Sequence, residues 1–406
     1  MHVIFVEPAF PRNQREFVRA LASTGAGVTG IGERPVHELD NDLKGWLGGY
    51  EQISSVCNEG ELLETVRRIQ SRGWVDRLEA TIEAHIQPVA HVREATGIPG
   101  TSPRTAFLSR DKPAMKEVLR QAGIACAAST GTDSADEARR FAAETGYPLI
   151  LKPRDAAGAA GTWRANNDEE LEAAIRDSGL LDGASIALEQ FIEGHEGFYD
   201  TLTVNGQVRY EFISHYYPNV LEAMRTRWIS PQLVTTNRLE SPDYMEVREM
   251  GARVIRELGI GTSATHMEWF FGPNGLKFSE IGTRPPGVGT WDLYSTANEF
   301  DLYREWAMAV TGGDPGVGPT RRYAAGLIAL RPEGDGAIRG YSGIESIQER
   351  FGENIIDSHF PGEGTPTQAV EAGYMANAWV RVRHPDYDVL RGILDEIGRT
   401  VTVHAG

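Results

Sequence analysis

Cysteine is nearly absent from this chain: Cys57 and Cys126 are the only two in 406 residues. They lie far apart and match no zinc spacing, so a disulfide scaffold is not expected. They read as a pair of buried thiols in a reducing cytoplasm. Basic charge is short as well. Forty Lys and Arg against 57 Asp and Glu leave a net charge of −17. That balance argues against nucleic acid or an anionic membrane as partner, while a local basic pocket can still hold phosphates. No apolar run approaches the ~18 residues of a membrane span. The N-terminus, MHVIFVEPAF, has neither a basic leader nor a long apolar core, so no signal peptide is expected. Internal repeats are missing. No G-x-G-x-x-G follows the first apolar run, and no G-K-[ST] closes a glycine loop, which argues against a dinucleotide fold and a Walker A site. No serine or cysteine triad stands out.

What remains is the composition of an ordinary soluble protein, 41% hydrophobic and 24% charged, long enough for two or three domains. His2–Val6 reads as a buried strand, Arg15–Ser23 as an amphipathic helix and Val28–Ile31 as a second strand, an open α/β start. Glu61–Gln70 reads as a further helix. Pro88–Thr96 reads as another, with its proline in the first turn and a stop at Gly97-Ile98-Pro99-Gly100. Residues 1–100 therefore form one small α/β domain. Two short helices over Pro103–Ala122 follow, capped at Ser109 or Asp111. Tyr147–Lys152 (YPLILK) is a strand running into a Gly/Ala loop, Pro153–Thr162. Ile186–Ile192 is another strand, and Asn205-Gly206 marks a hairpin turn. Tyr216–Leu239 shows no clear pattern and reads as a candidate substrate loop holding Arg225, Arg227 and Trp228. Gly312–Thr320 is a linker by composition. Beyond it lies a small α+β tail.

The most informative stretch is Thr262–Gly287, TSATHMEWFFGPNGLKFSEIGTRPPG. It reads as a β-hairpin around Pro273-Asn274-Gly275, with glycine in the left-handed bulge position. That register sets Glu268 opposite Glu280, on one face with His266, Phe270, Phe278 and Gly282. Met267, Trp269, Phe271 and Ile281 turn to a core. Facing carboxylates repel in a sheet. A divalent cation between them removes the objection, since Mg²⁺ takes one or two carboxylates plus substrate phosphates.

Five elements in order resemble the ATP-grasp superfamily, over roughly residues 75–290. They are Arg110-Asp111-Lys112 with its helix, Tyr147–Pro153 before a Gly/Ala loop, Glu189-Gln190-Phe191-Ile192-Glu193-Gly194-His195-Glu196, His266–Phe270, and Glu280-Ile281-Gly282-Thr283-Arg284-Pro285-Pro286-Gly287. The resemblance implies a fold of mixed α/β and α+β type. An N-terminal open α/β domain (1–100) precedes a nucleotide-binding core (101–315, phosphate flap near 153–165) and a C-terminal α+β subdomain (316–406). It implies ATP and Mg²⁺ (or Mn²⁺) as cofactors. Lys112 and Lys152 would contact phosphates under a loop around Gly158 and Gly161. Glu189 and the backbone of Gln190 and Ile192 would frame the adenine, and Glu196 would bind the ribose. Glu268 and Glu280 would hold the metal, and Arg284 the substrate carboxylate or acyl phosphate. One position departs from the pattern: Gly282 stands where the family usually has a metal-binding asparagine.

The tail, with Ala324–Leu330, Arg331-Pro332, Gly336-Ala337-Ile338 and Tyr341-Ser342-Gly343-Ile344, is similar to that of the L-amino-acid (dipeptide) ligases. On that likeness Arg331 is a second carboxylate anchor in the active site. The implied activity is a carboxylate–amine ligase that joins small acids and amines, amino acids among them, through an acyl phosphate. A homodimer is the family-based expectation. Biotin-carboxylase-like or purine-pathway chemistry is the alternative within enzymes. A nucleotide-binding protein without turnover is the alternative outside them.

Overall fold

The computed structural model describes residues 1–154 and 161–406. The first hundred residues form a four-stranded parallel sheet in the order Gly49–Gln52, Gly27–Gly32, His2–Val6, Arg77–Glu79. Its central strand is a continuous apolar run with Val3, Ile4, Phe5 and Val6 all fully buried, as a sheet covered on both faces requires. Helix Gln14–Ser23 buries Phe17, Val18 and Leu21 at helical spacing. Phe17 sits within 5.2 Å, centroid to centroid, of Trp291, Tyr303 and Trp306. Each such pair adds ~0.5–1.5 kcal/mol beyond burial. This aromatic knot ties the N-terminal sheet to helices Thr290–Asn298 and Leu302–Val310.

Pro88 does not open its helix. The helix runs Glu83–Thr96 with Pro88 inside it. Proline has no N–H to give the carbonyl four residues back, that of Ala84. The Cys57 thiol reaches that carbonyl instead, at 3.8 Å. Cys57 is exposed and Cys126 half-buried, and both are free, so the expectation of two buried thiols holds for neither.

A second sheet, antiparallel, runs Ser129–Thr132, Ile186–Gln190, Leu149–Pro153, Trp163–Ala165. Helices Ala135–Thr145 and Asp168–Asp177 supply part of its core, with Ala138, Ala142, Leu171 and Ile175 buried against it. The third and largest sheet has eight strands: Gly275–Gly282, Ser263–Gly272, His195–Val204, Gln207–Tyr217, Gln232–Thr235, Ala324–Leu330, Ala378–His384, Ile355–His359. The tail therefore extends the central sheet instead of standing apart from it. The link is Gln232–Thr235, a buried strand hidden in the patternless stretch, paired to both Gln207–Tyr217 and Ala324–Leu330. The Asn205-Gly206 turn joins its two strands as its residue types require, with φ of 51° and 80°. Among the described residues no helix is long and apolar enough to cross a membrane.

Candidate functional site

The hairpin Ser263–Gly272/Gly275–Gly282 has the register its alternation implies: Glu268 faces Glu280, His266 faces Gly282, and Gly275 has φ 75°. Beyond Glu268 the register shifts, and Trp269 pairs with Phe278. Ser279 is the additional residue, a β-bulge. The bulge turns Phe278 into the core, fully buried beside Trp269, instead of onto the glutamate face. Phe271 is 55% exposed, because it lies past the core near the turn.

Glu268 and Glu280 line a cavity of about 440 Å³ between the second and third sheets. Lys112, Lys152, Glu189, Gln190, Ile192 and Glu196 line it too, so eight predicted residues from five elements meet at one place. Lys112 opens its helix behind the N-cap Asp111, whose side chain accepts from the Ala114 N–H. Asp111 also pairs with Arg154 at 2.8 Å, which fixes the exit of the Lys152 strand. Lys112 is buried, its Nζ 3.6 Å from Glu280, and Lys152 Nζ lies 3.7 Å from the same carboxylate. Burial pushes Glu280 up, but Lys112 and Lys152 outweigh it and hold its carboxyl below the usual range. Lys152 also lies 3.0 Å from Glu189. Burial pushes Glu189 up as well; Lys116 and Lys152 overcome it and bring the carboxyl down to about 2.

Glu196 accepts from the Val220 N–H at 2.7 Å, while its own N–H goes to Asn219. Burial first, then the charge of Glu268, raises its carboxyl to about 8. Gln190 lines the cavity, but its N–H is given to Ala128 O, so that donor is committed to the sheet. Gly161 has φ 65° and its Cα faces Pro153, where a Cβ would come within 3.3 Å. Gly158 lies outside the described residues, as do residues 155–160 of the predicted flap.

Arg284 lines a second, small cavity of about 20 Å³ with Glu83, Arg110 and His266. Lys112 and Glu280 border both cavities, so the two adjoin. Arg284 Nε donates to Glu83 Oε2 at 2.6 Å, and Arg110 Nε lies 3.7 Å from the other oxygen. A Cβ on Gly282 would sit 3.0 Å from Glu83 Oε2 and 3.5 Å from Arg284 Cγ. The ion pair therefore crowds this position, and any side chain there would make the Glu83 carboxylate give way. His266 Nδ1 donates to Asp200 Oδ1 (2.7 Å), and its Nε2 lies 3.6 Å from Glu268. Burial lowers its pKa, but Asp200 and Glu268 win and raise it to about 9. It is thus a cation that balances Glu268, which argues against its use as a metal ligand.

Arg331 does not join these residues. Its guanidinium donates to the carbonyls of Ala223, Thr226, Val370 and Gly373. It ties the end of helix Val220–Ala223 to the turn around Val370–Gly373, and holds the segment carrying Arg225 and Thr226 at the cavity rim. Arg227 is paired with Asp335 at 2.7 Å, and Trp228 is 86% exposed. Sequence reasoning missed Glu83, Lys116 and Arg164. The last stacks over Phe191 at 4.1 Å in the cavity wall. Only Lys116 left a signal, one helical turn beyond Lys112.

Comparison with known proteins agrees with this geometry. Residues 111–198 match the family model of the carbamoyl-phosphate synthase L chain, ATP binding domain. The chain is 25% identical over 315 residues to the L-arginine-specific L-amino acid ligase of Bacillus subtilis, covering 76% of this chain and 75% of that one. Other curated relatives are matched over 54% and 15% of their own length. The crystal structure of L-amino acid ligase from Bacillus licheniformis superposes with a TM-score of 0.78 at 16% identity, covering 100% and 98% of the two chains. Phosphoribosylglycinamide synthetase from Anaerococcus prevotii does so with 0.73 at 15% identity, over 100% and 99%. The fold is that of these solved structures, and the matched ATP-binding domain model falls on the part of the chain that supplies Lys112, Lys152, Glu189 and Glu196 to the cavity. A further relative is the alanine–anticapsin ligase of Bacillus subtilis, 23% identical over 294 residues, covering 66% of this chain and 62% of that one.

Proposed function

We propose that the chain activates a carboxylic acid, an amino acid by preference, with ATP and couples it to an amine. The observation that carries this reading is the adjacency of the two cavities across Lys112 and Glu280. A nucleotide in the large cavity would present its terminal phosphate toward a carboxylate group held where the small one opens onto it.

In this reading Lys112 and Lys152 receive the phosphates and Glu189 and the Ile192 backbone frame the base. Glu196 meets the ribose, and the segment around Gly158 and Gly161 covers the phosphates. Glu268 and Glu280 would hold Mg²⁺, or Mn²⁺ in its place. The residues fit such an ion. Two half-buried carboxylates face each other, a third is raised toward its neutral form by burial and then by the charge of Glu268, and no fuller cage of His, Cys, Asp or Glu exists among the described residues. Phosphates and water complete such a shell. The ion, when bound, neutralises charge between the phosphates.

Arg284, kept charged by Glu83 and the site glutamates against the cost of its burial, would orient the carboxylate. Bringing two anions together costs energy, which fixed cations offset without reorganising. The acid attacks the terminal phosphate, giving an acyl phosphate and ADP. An amine then displaces phosphate to form the amide. Arg331 acts at one remove, by holding the rim.

The test is release of ADP and phosphate across a panel of amino-acid pairs with Mg²⁺. Release that needs both an acid and an amine is the expected result. Release with bicarbonate and no amine would move the chain to the carboxylase branch. ATP binding with no release from any acid would make it a binding protein.

A further inference from the structure

One buried charge in the wall of the large cavity has no task in this chemistry. Lys116 follows Lys112 by one helical turn and is fully buried, 0% exposed. It does not line the cavity. Its Nζ lies 2.7 Å from Glu189 Oε1, a close ion pair without the alignment of a good hydrogen bond. The other oxygen, Oε2, lies 3.0 Å from Lys152 Nζ. Each oxygen of one buried carboxylate thus serves a different ammonium, and only one of the two ammoniums faces the ligand.

The arithmetic of charge explains the arrangement. Glu189 with Lys152 alone is neutral, and its charge is then spent inside the protein. Glu189 with both lysines carries a net +1, available to an anion in the cavity. A buried carboxylate stripped of its partner is costly. With Lys152 alone, turning toward phosphate would strand Glu189. With Lys116 in place, Glu189 stays paired whichever way Lys152 turns. Burial pushes the Lys116 ammonium down, and Glu189 works against that push, as a resident ion pair requires.

We propose that Lys116 is a positioning residue: it is the permanent counter-ion of Glu189, and it frees Lys152 to exchange the carboxylate for nucleotide phosphate. The proposal rests on the ATP-site reading above. It predicts that a residue with no ligand contact controls the phosphate part of nucleotide affinity alone.

The test is calorimetric titration of the full chain with ADP and, separately, with adenosine, beside ATP-dependent turnover. Lys116→Met is expected to weaken ADP by about 10–100-fold, the worth of one charged contact, and to leave adenosine unchanged. KM for ATP should rise more than kcat falls. Lys116→Arg should keep most of the affinity. In a Glu189→Gln background residue 189 no longer competes with phosphate for Lys152, so Lys116→Met should cost ADP binding almost nothing.

Equal loss of ADP and adenosine would overturn the proposal. So would an unchanged ADP affinity, or the same loss in both backgrounds. Thermal melts check folding. If Lys116→Met does not fold, Lys116→Gln is measured in its place, and the same outcomes decide. A wild-type chain that binds neither ADP nor adenosine would sink the ATP-site reading instead.

Discussion

Replacing Glu280 by glutamine keeps the shape of the side chain and removes its charge. The carboxylate lies 3.6 Å from Lys112 Nζ and 3.7 Å from Lys152 Nζ. At an effective dielectric of ~20, each pair attracts by ~4–5 kcal/mol before desolvation, which returns much of it. Two opposed consequences follow. The folded protein loses ~1–3 kcal/mol, since two ammoniums lose a neighbour, and a chain with a stability of ~5–15 kcal/mol survives that. The proposed metal loses one of two carboxylates, which face each other at a fixed register. Removing one preorganised electrostatic group from a reacting centre costs ~10²–10³-fold in kcat. The assay is ADP release over a Mg²⁺ series, with circular dichroism and thermal unfolding as controls. A folded Glu280→Gln variant should turn over ~10²–10³-fold more slowly and demand more Mg²⁺. A rate within about threefold of wild type at low Mg²⁺ would refute the metal site, because the argument allots that carboxylate a direct share of the charge.

Three further perturbations test other links. Arg284→Ala should raise KM for the acid by ~10-fold or more, the loss of one charged contact, and leave ATP affinity nearly intact; the reverse pattern in steady-state kinetics would reassign Arg284 to the nucleotide. Gly251→Ala would bring a Cβ to 2.3 Å from the Tyr199 ring, so denaturant melts should show a loss of ~1–3 kcal/mol, and an unchanged midpoint would contradict the packing. His215 has its pKa lowered to about 3, by burial first and then by His195 and Arg391. Between the unfolded value of 6.5 and about 3, the unfolded chain binds a proton that the native site refuses. Its contribution is therefore whole above pH 6.5 and shrinks as pH falls, by ~1.4 kcal/mol per unit. Urea unfolding at pH 7 and pH 5 should show ~2 kcal/mol less pH sensitivity in His215→Gln than in wild type, and equal sensitivity would exclude this residue as a source.

Much of the site was legible because it is local. Turn chemistry at Pro273-Asn274-Gly275 and strict alternation fix which glutamates face each other, with no information from the rest of the chain. Asn205-Gly206 does the same for the neighbouring hairpin. Lys152 and Glu189 sit on short apolar strands whose limits the flanking residues mark. A bulge is harder to read, since Ser279 differs from no ordinary strand residue, so Phe278 was placed on the wrong face. Gln232–Thr235 was hidden because a strand buried by its neighbours needs no alternation of its own.

The sequence by itself determined the chemistry of the cavity: which lysines and glutamates, in which order, and on which strands. Tertiary structure alone decided how they are neutralised. Glu83 reaches Arg284 across 201 residues of chain and thereby crowds the space beside Gly282. Arg331, expected in the active site, is spent on four carbonyls that only the folded tail brings near it. Lys116 looks like any helix lysine until Glu189 closes over it. Local spacing sets where a side chain points, through backbone geometry. What it meets there depends on packing between distant segments, and for a buried charge that partner decides its role.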